Sequence, residues 1–332
     1  LGGFAVGVSI FVGTIVTRCT TVLFIYLFLV LGLEMFMGNS GILSFAHVGF
    51  MGIGAYASAV LSIPVSQKGQ SLPNLYPIFT DIELGFVPAI LIAALFTAVF
   101  AAVVGLPLMR LADTAAAIAS FALLVIVHVV LSQWNAMTNG PRTLFGLLQY
   151  TDMWTAFSWA IIVLLAAFAF KESSLGMKLR ASRDNVHAAS AIGINVITAR
   201  WISFVCSAFI AGLAGALWAH FITSFQPSAF YFEMTFLVLM MLIVGGPQTI
   251  TGATLGVIVI TVLSEGLRTL ENTLSLSGTF IFQTVGMTDI VLAILLVIML
   301  ALRPQGIIHT VEFPAGRRRR REVQTSMPDQ AT

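Results

Sequence analysis

Charge is scarce in this sequence: Asp, Glu, Lys and Arg make up only 9% of its 332 residues. Soluble domains carry about 25% charged residues because a wet surface needs them, so this chain cannot cover itself in water. Cysteine is nearly absent as well. The two present, Cys19 and Cys206, lie in apolar stretches and support neither a disulfide framework nor a metal spacing. They read as small packing residues. No Gly-x-x-x-x-Gly-Lys-Ser/Thr occurs, so nothing here can cradle nucleotide phosphates in that way. The five histidines (His47, His128, His187, His220 and His309) are scattered, and no Ser, His and Asp converge in a catalytic motif. These gaps speak against a soluble enzyme, a disulfide scaffold and a P-loop ATPase, and no nucleic-acid partner is expected.

Hydrocarbon is what the chain has in quantity: 58% of residues are hydrophobic, with 26 Phe and 13 Met. Crossing roughly 30 Å of hydrocarbon takes about 20 mainly apolar residues. Ten runs are candidates, at about 1–17, 20–36, 44–63, 86–109, 114–132, 154–170, 201–221, 232–245, 251–268 and 284–302. The eighth is short; the third and ninth are Gly-rich. The expected fold is therefore all-α, a polytopic transmembrane helical bundle of about ten spans, some short or Gly-broken. It would occupy residues 1–310, and residues 311–332 read as a disordered, Arg-rich cytoplasmic tail in which Arg317–Arg321 can touch anionic lipid head groups. Leu1 already lies inside an apolar run without a basic n-region, so the true start is expected to be missing or recoded.

Lys and Arg set the orientation. Lys171, Lys178, Arg180, Arg183 and Arg200 cluster in one loop, and Arg303 and Arg317–Arg321 in the tail. Placing both clusters in the cytoplasm puts both termini there and leaves only Arg18, Lys68, Arg142 and Arg268, four of 16 basic residues, outside. The outside loops at about 64–85 and 133–153 show turn chemistry.

Polar groups at membrane depth are costly and face a bundle interior or an aqueous path. Asn39, Ser44 and His47 sit in the Gly-crowded run 38–56, and Glu34 stands one turn before Asn39. These four are the candidates for a path wall; for His47 the alternative is a hydrogen bond between helices, and for Glu34 a buried pair. Glu233, Glu265 and Asp289 lie within or near the ends of apolar runs. Gly49, Gly52, Gly212, Gly215, Gly252 and Gly256 read as helix-packing positions, since small residues let membrane helices approach closely.

The loop 171–200 is expected to hold one amphipathic helix, Leu175–Ile192, with Ser174 as N-cap and Gly193 as C-cap. Leu175, Leu179, Ala188, Ala191 and Ile192 can form its apolar stripe. Such a helix at a membrane surface binds lipid or a groove on a soluble partner.

The run Leu175–Asn185 with Ala188, Ala189 and Gly193–Asn195 resembles the coupling segment of the branched-chain amino acid ABC permeases, of the LivM type. Further blocks agree in order: Gly41–Tyr56, Ser207–Ala219, Gly245–Gly256 and Arg303–Gly306. The sequence departs from the family pattern at Gln248, where Gly is usual. The resemblance implies a transport subunit rather than an enzyme, in a bacterial inner membrane. It implies a heterodimer with a second homologous permease, two cytoplasmic ATPases that hold ATP and Mg, and a periplasmic binding protein that delivers a branched-chain amino acid. No cofactor is expected in this chain. The resemblance assigns ATPase coupling to Leu175, Gly176, Leu179, Arg180, Arg183, Asp184, Asn185, Ala188 and Gly193. Three other readings stay open: the same architecture importing urea, short amides or another amino acid, a secondary transporter or channel coupled through Glu34 or Glu233, and a membrane scaffold without transport.

Overall fold

In the computed structural model, residues 14–276, 286–302 and 306–308 are described. The first apolar helix, α1 (Thr14–Leu33), continues through a π-helical turn, Glu34–Gly38. It is followed by α2 (His47–Ser62), α3 (Phe86–Leu108), α4 (Asp113–Gln133) and α5 (Met153–Glu172). Two short helices, α6 (Ser174–Asp184) and α7 (Val186–Ala191), lead into α8 (Val196–Ile222). Then come α9 (Phe232–Gly245), α10 (Ile250–Leu276) and α11 (Met287–Leu302). No strand occurs among the described residues.

Among the described residues seven helices, not ten, are long and apolar enough to cross a membrane. The difference has three sources. Candidate 1–17 lies almost wholly outside the described residues. Candidate 284–302 leaves only Ile290–Met299 as a short apolar helix. Candidate 44–63 forms a helix of 16 residues, about 24 Å at 1.5 Å per residue, because residues 41–45 are irregular. Gly41 there takes φ +76°, a conformation open to glycine. Irregular backbone at membrane depth must be enclosed by protein and hydrogen-bonded. Here the Ser40 hydroxyl accepts from the Ile42 amide and the Ser120 hydroxyl from the Phe45 amide.

Helix α8 is the central post, packed by α1, α2 and α3. Glycine sets how close they come. A Cβ on Gly54 would run into the backbone of Gly212, and one on Gly215 into the Met51 carbonyl. Gly49 faces Val127, and Gly52 faces Leu131 and Phe230. Gly252 and Gly256 meet the backbone of Gly245 and Met241 on α9. Each of these glycines lies against another element of this chain, Gly49 at ordinary van der Waals distance. Outer faces carry Phe96, Val103, Ile118, Leu165, Val262 and Val297, all more than half exposed. Such apolar surface is a liability in water and is at home in lipid.

The two ends of the bundle differ. One end, the loop face, carries α6 and α7, where α1, α5 and α9 finish and α8 and α10 begin. At the opposite face the loop segments lock together: Leu144 and Phe225 exchange backbone hydrogen bonds, and Lys68 donates to the carbonyls of Phe79 and Ile82. Burial pulls the Lys68 ammonium below its ordinary value, with Glu83 and Asp81 opposing the shift.

Gly215→Val is expected to destabilise the chain by at least about 1–3 kcal/mol, the usual cost of overpacking. Gly266, whose Cβ position is open, should accept Ala within about 0.5 kcal/mol. Thermal unfolding of the two purified variants in detergent checks both.

Candidate functional site

The loop segment begins where α5 ends. Ser173, one residue before the predicted cap, caps α6 by accepting from the Gly176 amide at 3.3 Å. The expected single helix is two helices, α6 and α7, broken at Asn185. Asn185 is extended (φ −157°, ψ 109°) and accepts from the Ala188 amide at 3.0 Å, so it caps the second helix. A side chain that caps well also offers the backbone a way out of a helix. Gly193 closes α7 as predicted, at φ +86°. Its amide reaches the Ser190 carbonyl and the Ile194 amide the Ala189 carbonyl, a Schellman ending.

The break splits the expected apolar stripe. Gly176, Leu179 and Ser182 are buried against the bundle, whereas Ala188, Ala191 and Ile192 are exposed. Asp184 and Asn185 are exposed beside them, and Leu175 and Arg180 are half-buried. Gly176 lets the first turn of α6 settle onto the Phe170 and Lys171 carbonyls, where a Cβ would collide. Arg183 turns inward. Its Nη1 donates to the Gly38 carbonyl at 2.6 Å, its stem lies against Gly41, and its Nε stands 3.7 Å from Asp184. Sequence reasoning placed Arg183 toward a partner; the structure spends it on the broken end of α1.

Beside that contact lies a buried ion pair. Lys171 Nζ stands 3.6 Å from Glu34 Oε1 and donates to the Gln248 carbonyl at 2.6 Å. Both charged side chains are almost fully enclosed. Lys171 ends α5, Glu34 opens the π-turn of α1 and Gln248 sits in the α9–α10 turn, so one ammonium ties three elements. Glu34 is therefore at the loop-face end of its helix rather than deep in the span. Gln248 contributes its backbone carbonyl, so its departure from Gly leaves this contact possible. The pattern signal for this junction was an acid at a helix end and a base at the next loop boundary, with only the fold to say that they meet. A second pair, Arg200 Nη1 to Asp113 Oδ1 at 2.9 Å, joins the starts of α8 and α4.

The other path-wall candidates follow Glu34 in the chain, between the end of α1 and the start of α2. Asn39 Nδ2 and Ser203 Oγ both donate to the Met35 carbonyl, each at 3.1 Å. His47 bridges Ser44 at 3.0 Å and Ser207 at 2.9 Å, within a cage of Phe36, Phe50 and Phe204. Glu34, Asn39, Ser44 and His47 are each 1–2% exposed. They form a polar seam between α1, α2 and α8, which supports the structural alternative for His47 and the paired alternative for Glu34.

The family described as "branched-chain amino acid transport system / permease component" matches residues 15–300. The chain belongs to this family. Two of its relatives are the high-affinity branched-chain amino acid transport system permease proteins LivM of Escherichia coli K12 and Salmonella typhimurium LT2. Each is 27% identical over 325 residues, covering 87% of this chain and 68% of the relative. The nucleoside ABC transporter permease protein NupC of Lactococcus lactis subsp. cremoris is 27% identical over 204 residues, 57% of this chain and 62% of the relative. No solved structure matches. The permease is thus a multi-pass membrane transport subunit, and its seam and loop helices lie within the span matched to the family.

Removing one partner of a buried pair strands the other charge. Lys171→Met in the permease is expected to cost about 3–5 kcal/mol, and the double change with Glu34→Leu distinctly less. A double-mutant cycle read by thermal unfolding measures the coupling.

Proposed function

We propose that this permease is the membrane subunit of an ATP-driven importer for branched-chain amino acids in a bacterial inner membrane, with its loop face in the cytoplasm. The observation that carries the reading is the clamp at the loop face. The outer side of α6–α7 offers Met177, Asp184, Asn185, Ala188, Ala191 and Ile192 to a partner, while its inner side grips the broken end of α1 through Arg183. A push on the exposed side would reach the π-turn, the Lys171–Glu34 pair and the α9–α10 turn through rigid contacts. Asn185 and Gly193 position the docking surface by their caps; Leu175, Gly176 and Leu179 seat it. Arg180, half-buried on α6, flanks it.

Membership of the family supports a set of partners. Two ATPases would supply ATP and Mg, a second homologous permease would complete the membrane unit, and a binding protein would deliver the cargo at the opposite face. The 12 to four distribution of basic residues agrees with both termini lying in the cytoplasm. The relatives differ in the cargo that their names state, branched-chain amino acids for LivM and nucleosides for NupC. That difference favours a second reading, the same machine with another cargo, over a channel that needs no ATPase. Polar seam residues Glu34, Asn39, Ser44 and His47 then stand at the inner end of the path, where they couple loop movement to helix movement.

The test is reconstitution with a second permease and ATPase subunits. Uptake should require ATP, and Ala188→Asp with Ile192→Asp should lower it about tenfold, a change of about 1.4 kcal/mol, without altering the unfolding temperature. Uptake that persists without ATPases would overturn the proposal. Asn185→Ala should weaken α7 by about 1 kcal/mol and lower uptake in parallel with lost ATPase stimulation.

A further inference from the structure

A cavity among the described residues lies far from the loop face. It occupies about 860 Å³ between the opposite-face ends of α1, α8, α9, α10 and α11. Arg18 on its wall is 16 residues from Glu34, about 24 Å along a helix axis, so this cavity is separate from the polar seam. Four ionisable side chains line it, two of each sign: Arg18 from α1, Glu233 from α9, and Glu265 with Arg268 from α10. Among the described residues no ion pair joins any of them to another. Cys19 lines the same wall. The remaining wall is largely apolar and aromatic, including Trp218, Phe236 and Met240.

Arg18, Glu233 and Arg268 are exposed and Glu265 is half-buried, so the charges stand at the open mouth of the cavity. Ionisable groups at the edge of hydrocarbon are candidates for a ligand pathway. Two acids and two bases that leave one another unpaired present the complement of a molecule with one charge of each sign. A wall of Phe, Met and Trp adds the complement of an apolar side chain. The volume falls in the range of small-molecule sites, which combine such walls with a few polar groups. A second observation stands apart from the charges. Thr261 lies on the same wall, 6% exposed, with its hydroxyl buried and without a hydrogen-bond partner. Buried hydroxyls are normally bonded, and a ligand carboxylate or ammonium would satisfy this one.

We propose that this cavity holds one amino-acid zwitterion with an apolar side chain, its ammonium toward Glu233 and Glu265 and its carboxylate toward Arg18 and Arg268. The inference deepens the proposed function, on which the choice of an amino acid rests: the cavity would be a first station for cargo entering from the opposite face. Neutral sum charge lets the site accept a zwitterion without net charge transfer. An amine or an acid alone would leave one pair of side chains uncompensated.

Cys19 gives a readout that needs neither ATPase nor transport. The full chain in phosphatidylcholine nanodiscs is alkylated with a small maleimide, and Cys19 and Cys206 are followed separately by mass spectrometry. L-leucine at about four times its dissociation constant should slow Cys19 labelling about fivefold and leave Cys206, which is not on the wall, unchanged. 3-Methylbutylamine and 4-methylpentanoate, each lacking one charge, should protect weakly. Glu233→Gln with Glu265→Gln should abolish leucine protection, as should Arg18→Gln with Arg268→Gln. A Cys19 that does not label without ligand, or labels equally with leucine, overturns the proposal. So does protection that follows anionic lipid content instead of leucine, since it would make the occupant a head group. Loss of ATP-driven uptake with protection intact would count against the proposed function alone, and intact uptake without protection against this site alone.

Discussion

A lysine and a glutamate drawn together out of water cannot be left by halves, and at the loop face of this permease that constraint organises everything nearby. Lys171 holds Glu34 and the Gln248 carbonyl at once, so the end of α5, the π-turn of α1 and the α9–α10 turn must meet at one point. Desolvation makes such a pair a weak source of net stability, but it makes the arrangement hard to replace by another. The π-turn follows from the same place. Widening α1 by one residue per turn at Glu34–Gly38 leaves the Met35 carbonyl to Asn39 and Ser203 and the Gly38 carbonyl to Arg183. A π-turn of this kind marks functional positions in many helices.

Around this junction the bundle is stiff. Glycine at 54, 212 and 215 brings α2 and α8 into backbone contact, and His47 bolts the same two helices through Ser207. A displacement imposed on α6 therefore has few soft places in which to dissipate. The compliant elements are the irregular run 41–45 and the Asn185 break. Both flank Arg183.

The opposite face has another character. Its ion-bearing cavity is lined by side chains that do not neutralise one another, whereas the loop face pairs its buried charges. The two chemistries are divided along α1, with Arg18 at one end and Glu34 at the other.

Much of this was legible without coordinates. Charge depletion and apolar runs determined the membrane class and the all-helical bundle, because only helices or closed barrels satisfy backbone groups in lipid. Small-residue spacing marked the packing glycines, and Gly193 marked the end of the loop helices, because only a residue without Cβ takes that φ cheaply. Span count was less legible: hydropathy sums over residues 44–63 and does not register that 41–45 leave the helix. The Asn185 break was missed because capping and helix-interior uses of Asn look alike in sequence. Only the tertiary structure decided that Lys171 and Glu34 meet, that Arg183 faces inward, and that Arg18, Glu233, Glu265 and Arg268 converge. These residues are separated by as many as 250 positions in the chain, and local propensity carries no information about which distant helix ends pack together.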